Sequence, residues 1–154
     1  MADPATIHAS AAIVGARAVL VRGPSGSGKS SFVLALLRAA QSGTLPFARL
    51  VADDRAIVTP EHGRLIVRPA DNLKGLIEAR GLGILRLPYE RAAVVGCVVD
   101  LGVAEAERMP AQSERETVIA GVHLARLAVA PGADALSLFV NFLDRAALAV
   151  PDGR

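Results

Sequence analysis

A glycine-rich segment near the start of the chain has the residue types and spacing needed to hold phosphate groups. Residues 23–30, with the sequence GPSGSGKS, match the pattern G-x-x-x-x-G-K-[ST]. Glycines let backbone N–H groups close around phosphate oxygens where a side chain would clash. Lys29 is expected to reach the β and γ phosphates, and Ser30 offers a hydroxyl to Mg²⁺. The nucleotide-binding residues predicted are Gly23, Pro24, Ser25, Gly26, Ser27, Gly28, Lys29, Ser30 and Ser31.

Two adjacent acids could complete a phosphoryl-transfer site. Asp53 and Asp54 directly follow the short apolar run 50–52. A transferase needs a proton acceptor for the attacking hydroxyl and a metal to offset developing charge. One acid of the pair can lie near the metal and the other near the acceptor. A solvated turn between two strands is the alternative interpretation of this pair.

Two further features carry less information on their own. His8 is a lone histidine among small residues, and by itself it is an incidental residue. The segment 78–84, EARGLGI, contains two glycines that allow close backbone approach, and its Glu78 and Arg80 could reach a phosphate or Mg²⁺. Without further information this segment is interpreted as a loop of unknown role.

The hydrophobic pattern predicts the elements that must position these residues. Helices are expected at 29–40 and 135–149, and the predicted strands are 6–9, 11–14, 18–21, 50–52, 56–59, 65–67, 94–100, 117–120 and 123–129. The order strand, loop, helix, strand indicates an α/β fold. The hairpins at 56–67 and 117–129 favour a mixed β-sheet, and the absence of a linker or repeat favours a single domain over residues 1–154.

Composition excludes several classes of protein. The net charge of +2 is too small to indicate nucleic acid or a membrane surface as a partner, and the aromatic content of 3% argues against base stacking. The start of the chain has no secretory signal pattern and no apolar stretch is long enough to span a membrane, so we expect a cytoplasmic protein. The single cysteine, Cys97, lies in an apolar run and is expected to be a buried hydrophobe.

Taken together, these motifs resemble the HPr kinase/phosphorylase family, whose members phosphorylate a serine of the phosphocarrier HPr. The family combines a loop G-x-S-G-x-G-K-S, an Ala-Asp-Asp strand end and the signature E-[IVL]-R-G-[IL]-G-[IL]. These correspond here to residues 23–30, 52–54 and 78–84, and His8 falls where the family has a catalytic histidine. The resemblance implies an HPr kinase/phosphoenolpyruvate carboxykinase-like fold in a truncated form without the family's N-terminal domain.

The resemblance also implies roles for individual residues. Lys29 would hold the β and γ phosphates of ATP, and Ser30, Asp53 and Glu78 would lie at Mg²⁺. Asp54 would be the base that deprotonates the acceptor serine.

Two more catalytic residues are implied in the same way. His8 would contact Asp54 or the phosphate and tune the base, and Arg108 falls near a family active-site arginine. An ordinary surface arginine is the alternative for Arg108. Family members form hexamers, so the resemblance also implies that this protein forms a homo-oligomer.

One departure bears on the activity. The family's later motif, Pro-x-x-Pro-Gly-Arg-Asn, is associated with phosphorolysis and is represented here by residues 130–134, where Ala133 replaces the basic residue and Asp134 follows. This exchange does not favour an inorganic phosphate or pyrophosphate site. The sequence therefore predicts a kinase with weak or no phosphorylase activity. A nucleotide-binding regulatory module and a small-molecule kinase of the phosphate-loop class are the alternatives.

Overall fold

The computed structural model describes residues 4–106 and 110–148, with side chains to residue 145. Eleven strands and two α-helices lie in these ranges. The helices are α1 (Lys29–Gln41) and α2 (Ala135–Leu148). The strands are β1 (Ala5–Ile7), β2 (Ala9–Val14), β3 (Arg17–Arg22), β4 (Ala48–Ala52), β5 (Ala56–Glu61), β6 (Arg64–Pro69), β7 (Leu76–Ala79), β8 (Gly83–Arg86), β9 (Ala93–Asp100), β10 (Glu116–Ile119) and β11 (Val122–Ala128).

Nine of these strands form one mixed sheet, which confirms the predicted fold class. Its main order is β1-β5-β6-β9-β3-β2-β4. The central strand β9 runs parallel to β3 on one side. On its other side, the start of β9 pairs antiparallel with β6 and its end pairs parallel with β11, which in turn pairs with β10. The ends of β3 and β9 therefore lie side by side where the glycine-rich loop leaves the sheet.

Both faces of the sheet are buried. On one face, α1 and α2 pack over β3 and β9, and Phe32 of α1 meets the fully buried Phe139 of α2 edge to face at 5.8 Å between ring centroids. On the other face, small and aliphatic side chains such as Leu20, Val58 and Val98 form a second cluster. The sheet thus divides the core into two clusters, which are mainly aliphatic as the low aromatic content predicts. Packing in these clusters holds in place the strands that carry the candidate site.

Two predicted elements differ from the structure. The strand expected over 6–9 is interrupted at His8, because β1 pairs with β5 whereas β2 pairs with β3 and β4. The segment 78–84, interpreted as a loop, forms most of the antiparallel hairpin β7–β8. Gly81 and Gly83 have φ angles of 86° and 98°, which permit the tight turn that a glycine-poor segment would not make.

Among the residues that the structure describes, no helix is long and apolar enough to cross a membrane.

Candidate functional site

The loop between β3 and α1 is shaped by glycine at its first position. A Cβ atom at Gly23 would lie 2.5 Å from Ser27 Oγ and 3.0 Å from the carbonyl oxygen of Leu101, so no larger residue fits without a shift of the loop. Lys29, at the start of α1, is 7% exposed, and its Nζ donates to the carbonyls of Gly23 at 2.9 Å and Pro24 at 3.2 Å. The ammonium group is therefore held inside the loop.

The loop also holds a polar atom without a protein partner. Within the described ranges, Ser27 Oγ is buried and makes no hydrogen bond. A buried hydroxyl without a partner is unfavourable unless a ligand satisfies it. Its position inside the loop, beside the N-terminus of α1, fits an anion such as a phosphate group.

Asp53 is the buried centre of the site. Its side chain lies at the end of β4 and the residue is 7% exposed. Oδ1 accepts hydrogen bonds from Ser10 Oγ at 2.8 Å and Ser30 Oγ at 2.6 Å, and Oδ2 accepts from the backbone N–H of Glu78 at 3.0 Å. Three donors from β2, α1 and β7 thus satisfy one carboxylate, as burial of a charge requires.

Asp54 points away from this buried position. Its φ of 66° lies in the left-handed region, which is uncommon for a residue other than glycine. Its backbone N–H donates to Ser10 Oγ at 3.1 Å, whereas its side chain is 63% exposed and pairs with His8 Nε2 at 2.5 Å. Left-handed backbone at such a position is typical of functional sites. The two adjacent aspartates therefore face different surroundings, one buried and one open to solvent.

The oxygen atoms around Asp53 fit a magnesium ion bound partly by a nucleotide. The hydroxyl of Ser30 and the carboxylate of Asp53 are hard oxygen donors, and Mg²⁺ prefers one or two such ligands together with phosphates and water. No group of three or more histidine, cysteine or acidic side chains that could hold a metal occurs in residues 4–106 and 110–148. The site is thus suited to a metal that arrives with its phosphates. The side chain of Glu78 is exposed, and Glu78 contacts Asp53 through its backbone N–H.

Ser10 is a site residue that the sequence analysis did not identify. It is fully buried in β2, donates to Asp53 and accepts from the backbone of Asp54. Its only sequence signal is a serine inside an otherwise apolar strand, where a hydroxyl needs a partner. Ser10 therefore fixes both aspartates relative to the sheet.

A partly buried ion-pair cluster at the ends of β3 and β9 was also missed. Asp100, at the end of β9, accepts from Arg22 Nε at 2.7 Å, Arg22 Nη2 at 2.9 Å and Arg126 Nε at 2.6 Å. Burial alone would raise the pKa of Asp100, but the hydrogen bonds and charges of the two arginines outweigh it and hold that pKa below its usual range. Because Arg22 immediately precedes Gly23, the cluster anchors the start of the loop.

A cleft of about 450 Å³ lies beside the loop. It is bounded by Gly26–Gly28, by apolar side chains such as Phe32 and Leu136, and by the turn 130–134. In that turn, Asp134 caps α2 by accepting from Ser137 N at 3.2 Å and Ser137 Oγ at 2.7 Å, and these hydrogen bonds lower the pKa of Asp134. The turn therefore presents the negative charge of Asp134 next to Ala133, the position that lacks a basic side chain.

The structure brings most of the predicted site residues together. The contacts above link the glycine-rich loop and Ser30 to Asp53, Asp54, His8 and the backbone of Glu78. The predicted catalytic residue Arg108 lies outside the described residues.

Comparisons with known proteins found sequence relatives for part of the chain and a solved structure with a similar fold. No family model matches the chain. HPr kinase/phosphorylase proteins from three strains of Streptococcus thermophilus are 35% identical over 86 residues, which is 55% of this chain. The match spans about a quarter (26%) of the length of these relatives.

A solved structure matches much more of the chain. The HPr(Ser) kinase/phosphatase from Coxiella burnetii superposes with a TM-score of 0.72 over 93% of this chain and 95% of that one, at 25% identity. The chain is thus similar to HPr kinase/phosphorylase proteins in sequence over 86 residues, and to the HPr(Ser) kinase/phosphatase in fold over most of its length.

Proposed function

We propose, from these similarities, that the protein is a Mg-ATP-dependent kinase that phosphorylates a serine hydroxyl of an HPr-type phosphocarrier. The observation that carries the proposal is the division between the two aspartates. Asp53 is buried against the Ser30 hydroxyl at 2.6 Å, whereas Asp54 is exposed beside His8. A transferase needs a group that takes the proton of the acceptor hydroxyl, and the solvent-facing carboxylate of Asp54 is open to an acceptor protein.

The loop residues would hold the nucleotide. Backbone N–H groups of the loop and the N-terminus of α1 would bind the phosphates, and Lys29 would exchange its two carbonyl partners for phosphate oxygens. Ser30 and Asp53, with Glu78 of β7, would hold a Mg²⁺ ion, which would offset the negative charge of the phosphates. These contacts would position the γ-phosphoryl group for attack by the acceptor hydroxyl.

Asp54 would accept the proton from the acceptor serine. The serine oxygen forms a bond to the γ-phosphorus, the bond from that phosphorus to the bridging oxygen of ADP breaks, and the hydroxyl proton passes to the Asp54 carboxylate. His8, in contact with Asp54 Oδ1, would orient that carboxylate. The exposure of both side chains supports this role, because a protein acceptor must approach from solvent.

Phosphorolysis is proposed to be weak or absent. The negative charge of Asp134 at the turn 130–134, and the missing basic side chain at Ala133, disfavour an incoming inorganic phosphate or pyrophosphate. Robust release of phosphate from phosphoserine-HPr on addition of orthophosphate would contradict this part of the proposal.

The remaining parts of the proposal concern the whole protein. Residues 1–154 would form one catalytic domain that acts in the cytoplasm. The protein would form a homo-oligomer, as the proteins of the family that it resembles do. Arg108 is proposed as a further catalytic residue.

The central experiment incubates the protein with Mg-ATP and a purified HPr-type phosphocarrier and locates any phosphate by mass spectrometry. We expect an acid-stable phosphoserine that is lost, by a factor of about 100 or more, in Asp54→Asn. The same variant should keep its affinity for ATP, because Asp54 does not contact the loop in the described structure. Equal transfer by the two proteins would refute the role of Asp54.

Two other functions remain as alternatives. No transfer to any phosphocarrier, despite tight ATP binding, would favour a nucleotide-sensing regulatory module. ATP turnover that depends on a small hydroxyl compound would instead favour a small-molecule kinase.

A further inference from the structure

The cleft beside the glycine-rich loop is larger than a phosphate group needs. Its volume is about 450 Å³, which lies in the range of sites that hold a whole small ligand. One end is formed by Gly26–Gly28 and by Ser31 of α1, and the other walls come from α1, from the start of α2 and from the segment before α2. A nucleotide whose phosphates lie in the loop would therefore place its sugar and base in the rest of this cleft.

The walls of the cleft beyond the loop are apolar. Phe32 and Ala35 come from α1, and Leu136 comes from the first turn of α2. Leu101 and Val129, which directly follow β9 and β11, complete this lining. Surfaces of this kind bind a planar ring through the apolar area that contact removes from water, and adenine and guanine present similar faces to them.

The charged side chain of the cleft is already engaged. Among the described residues that line the cleft, Asp134 is the one with a charged side chain. Its Oδ1 accepts from the backbone N–H of Ser137 at 3.2 Å, and its Oδ2 accepts from Ser137 Oγ at 2.7 Å. Both carboxylate oxygens are therefore held by the start of α2 instead of being directed at the edge of a base.

Backbone groups after β11 and in the turn before α2 are engaged as well. The N–H of Val129 donates to the carbonyl of Asp100 at 2.8 Å, and the carbonyl of Val129 accepts from Val103 at 2.9 Å. The N–H of Ala133 donates to the carbonyl of Ala130 at 3.1 Å. Reading a purine needs a free and fixed polar group, because adenine carries an amino group where guanine carries a carbonyl oxygen.

We propose that this cleft holds the nucleoside part of the donor nucleotide and does not distinguish adenine from guanine. GTP would then donate its phosphoryl group about as well as ATP. An apolar pocket separates ligands of similar shape only weakly, whereas a site built to hydrogen-bond one of them rejects the other by a factor of about 10⁴ or more. This inference rests on the proposed function, because the phosphates must lie in the glycine-rich loop, and it names purine nucleoside triphosphates as the class of donor.

The test measures binding by calorimetry, with no phosphocarrier present. The ligands are the magnesium complexes of ADP, GDP and IDP, whose base lacks the amino groups of adenine and guanine, and of tripolyphosphate, which has no nucleoside. The variant Leu136→Ala removes part of the apolar wall. The matched control is Leu138→Ala, on the same helix, whose side chain is 40% exposed and lies outside the lining of the cleft.

We expect the dissociation constants of ADP, GDP and IDP to agree within about threefold in the wild type. Leu136→Ala should weaken all three by a similar factor, about fivefold or more, and leave tripolyphosphate unchanged. Leu138→Ala should leave every ligand unchanged. The wild-type comparison decides on base selection even where Leu136→Ala fails to fold.

A preference of tenfold or more for ADP or for GDP would overturn the proposal, because it would show that a base edge is read. Weaker binding of IDP than of both others would also overturn it, and would indicate that Asp134 binds the amino group. Equal effects of Leu136→Ala and Leu138→Ala would place the nucleoside outside the cleft. Failure of every nucleotide to bind would overturn both this inference and the proposed function, whereas equal nucleotide binding without transfer to a phosphocarrier would overturn the proposed function alone.

Discussion

Removing the charge of Asp100 should destabilise the protein more than removing any exposed carboxylate. In Asp100→Asn, the neutral side chain keeps one acceptor oxygen, whereas the native carboxylate accepts three N–H bonds from Arg22 and Arg126. Whichever way the amide is turned, its NH₂ group faces a guanidinium donor. At least one partly buried arginine N–H then loses its acceptor, and two positive charges lose their counter-ion.

The size of the effect follows from the burial of the three partners. Breaking a fully buried ion pair on one side costs roughly 3–5 kcal/mol of unfolding free energy. Asp100 is 9% exposed, but the arginine side chains are 31% and 20% exposed, so water compensates them in part. Arg22 also keeps Thr117 Oγ1 at 3.3 Å and Arg126 keeps the carbonyl of Glu114 at 3.0 Å. We therefore expect a loss of about 2–3 kcal/mol.

Urea unfolding followed by circular dichroism measures this loss. With an m-value of about 2 kcal/mol/M, the midpoint should fall by roughly 1–1.5 M at an unchanged slope. The matched control is Asp71→Asn, whose exposed carboxylate pairs with Lys74 at 3.6 Å and should contribute less than about 0.5 kcal/mol. A loss in Asp100→Asn no larger than that of the control would refute the reasoning.

The pH dependence of the same difference has a defined sign. The arginines lower the folded-state pKa of Asp100 below the usual 3.8, so its carboxylate stabilises the fold when it is ionised. That contribution is fully present above the unfolded-state pKa and is lost as the pH falls through the lower, folded-state pKa. The difference in stability between wild type and Asp100→Asn should therefore be constant above about pH 5 and shrink below about pH 4.

Three further predictions concern single side chains. Burial raises the pKa of the Cys97 thiol to about 12, so it should resist a thiol reagent at pH 8 until urea unfolds the protein, and rapid native labelling would contradict its burial. Gly23→Ala places a Cβ 2.5 Å from Ser27 Oγ and should weaken ATP binding in calorimetry at least tenfold, whereas an unchanged affinity would show that the loop can adapt. Ser10→Ala removes a donor to Asp53 and should lower stability by about 1–3 kcal/mol in urea unfolding, and loss of less than about 0.5 kcal/mol would mean that water replaces it.

Local patterns in the sequence predicted the local parts of the site well. The strand, glycine-rich loop and helix appear in the expected order, with α1 running one residue beyond the predicted end. Asp53 and Asp54 follow a strand, and the hairpins at 56–67 and 117–129 are confirmed. These features depend on backbone conformation and hydrophobic period, which neighbouring residues largely determine.

The residue pattern alone did not predict the contacts between distant segments, and the contact of His8 with Asp54 was implied only by the family resemblance. Ser10 and Asp53 are 43 residues apart, and Arg22 and Asp100 are 78 apart, so only the sheet order brings them together. The hairpin that contains residues 78–84 was missed because the apolar residues of its strands, in LIEA and GILR, are adjacent and do not alternate with polar ones. From sequence alone, a solvent-facing hairpin with apolar side chains is not distinguished from a loop or from a buried apolar segment.

The position of β9 at the centre of the sheet has a consequence for folding. A chain emerging from the ribosome presents β3 long before its parallel partner, because Arg22 and Asp100 are separated by 78 residues. Long-range parallel pairing of this kind slows folding, and we expect refolding on a timescale of milliseconds to seconds. Until Ala93–Asp100 is available, β3 has an unpaired edge that can pair with other chains. Fragments that end before Ala93 should therefore aggregate, although they contain the complete glycine-rich loop and both aspartates.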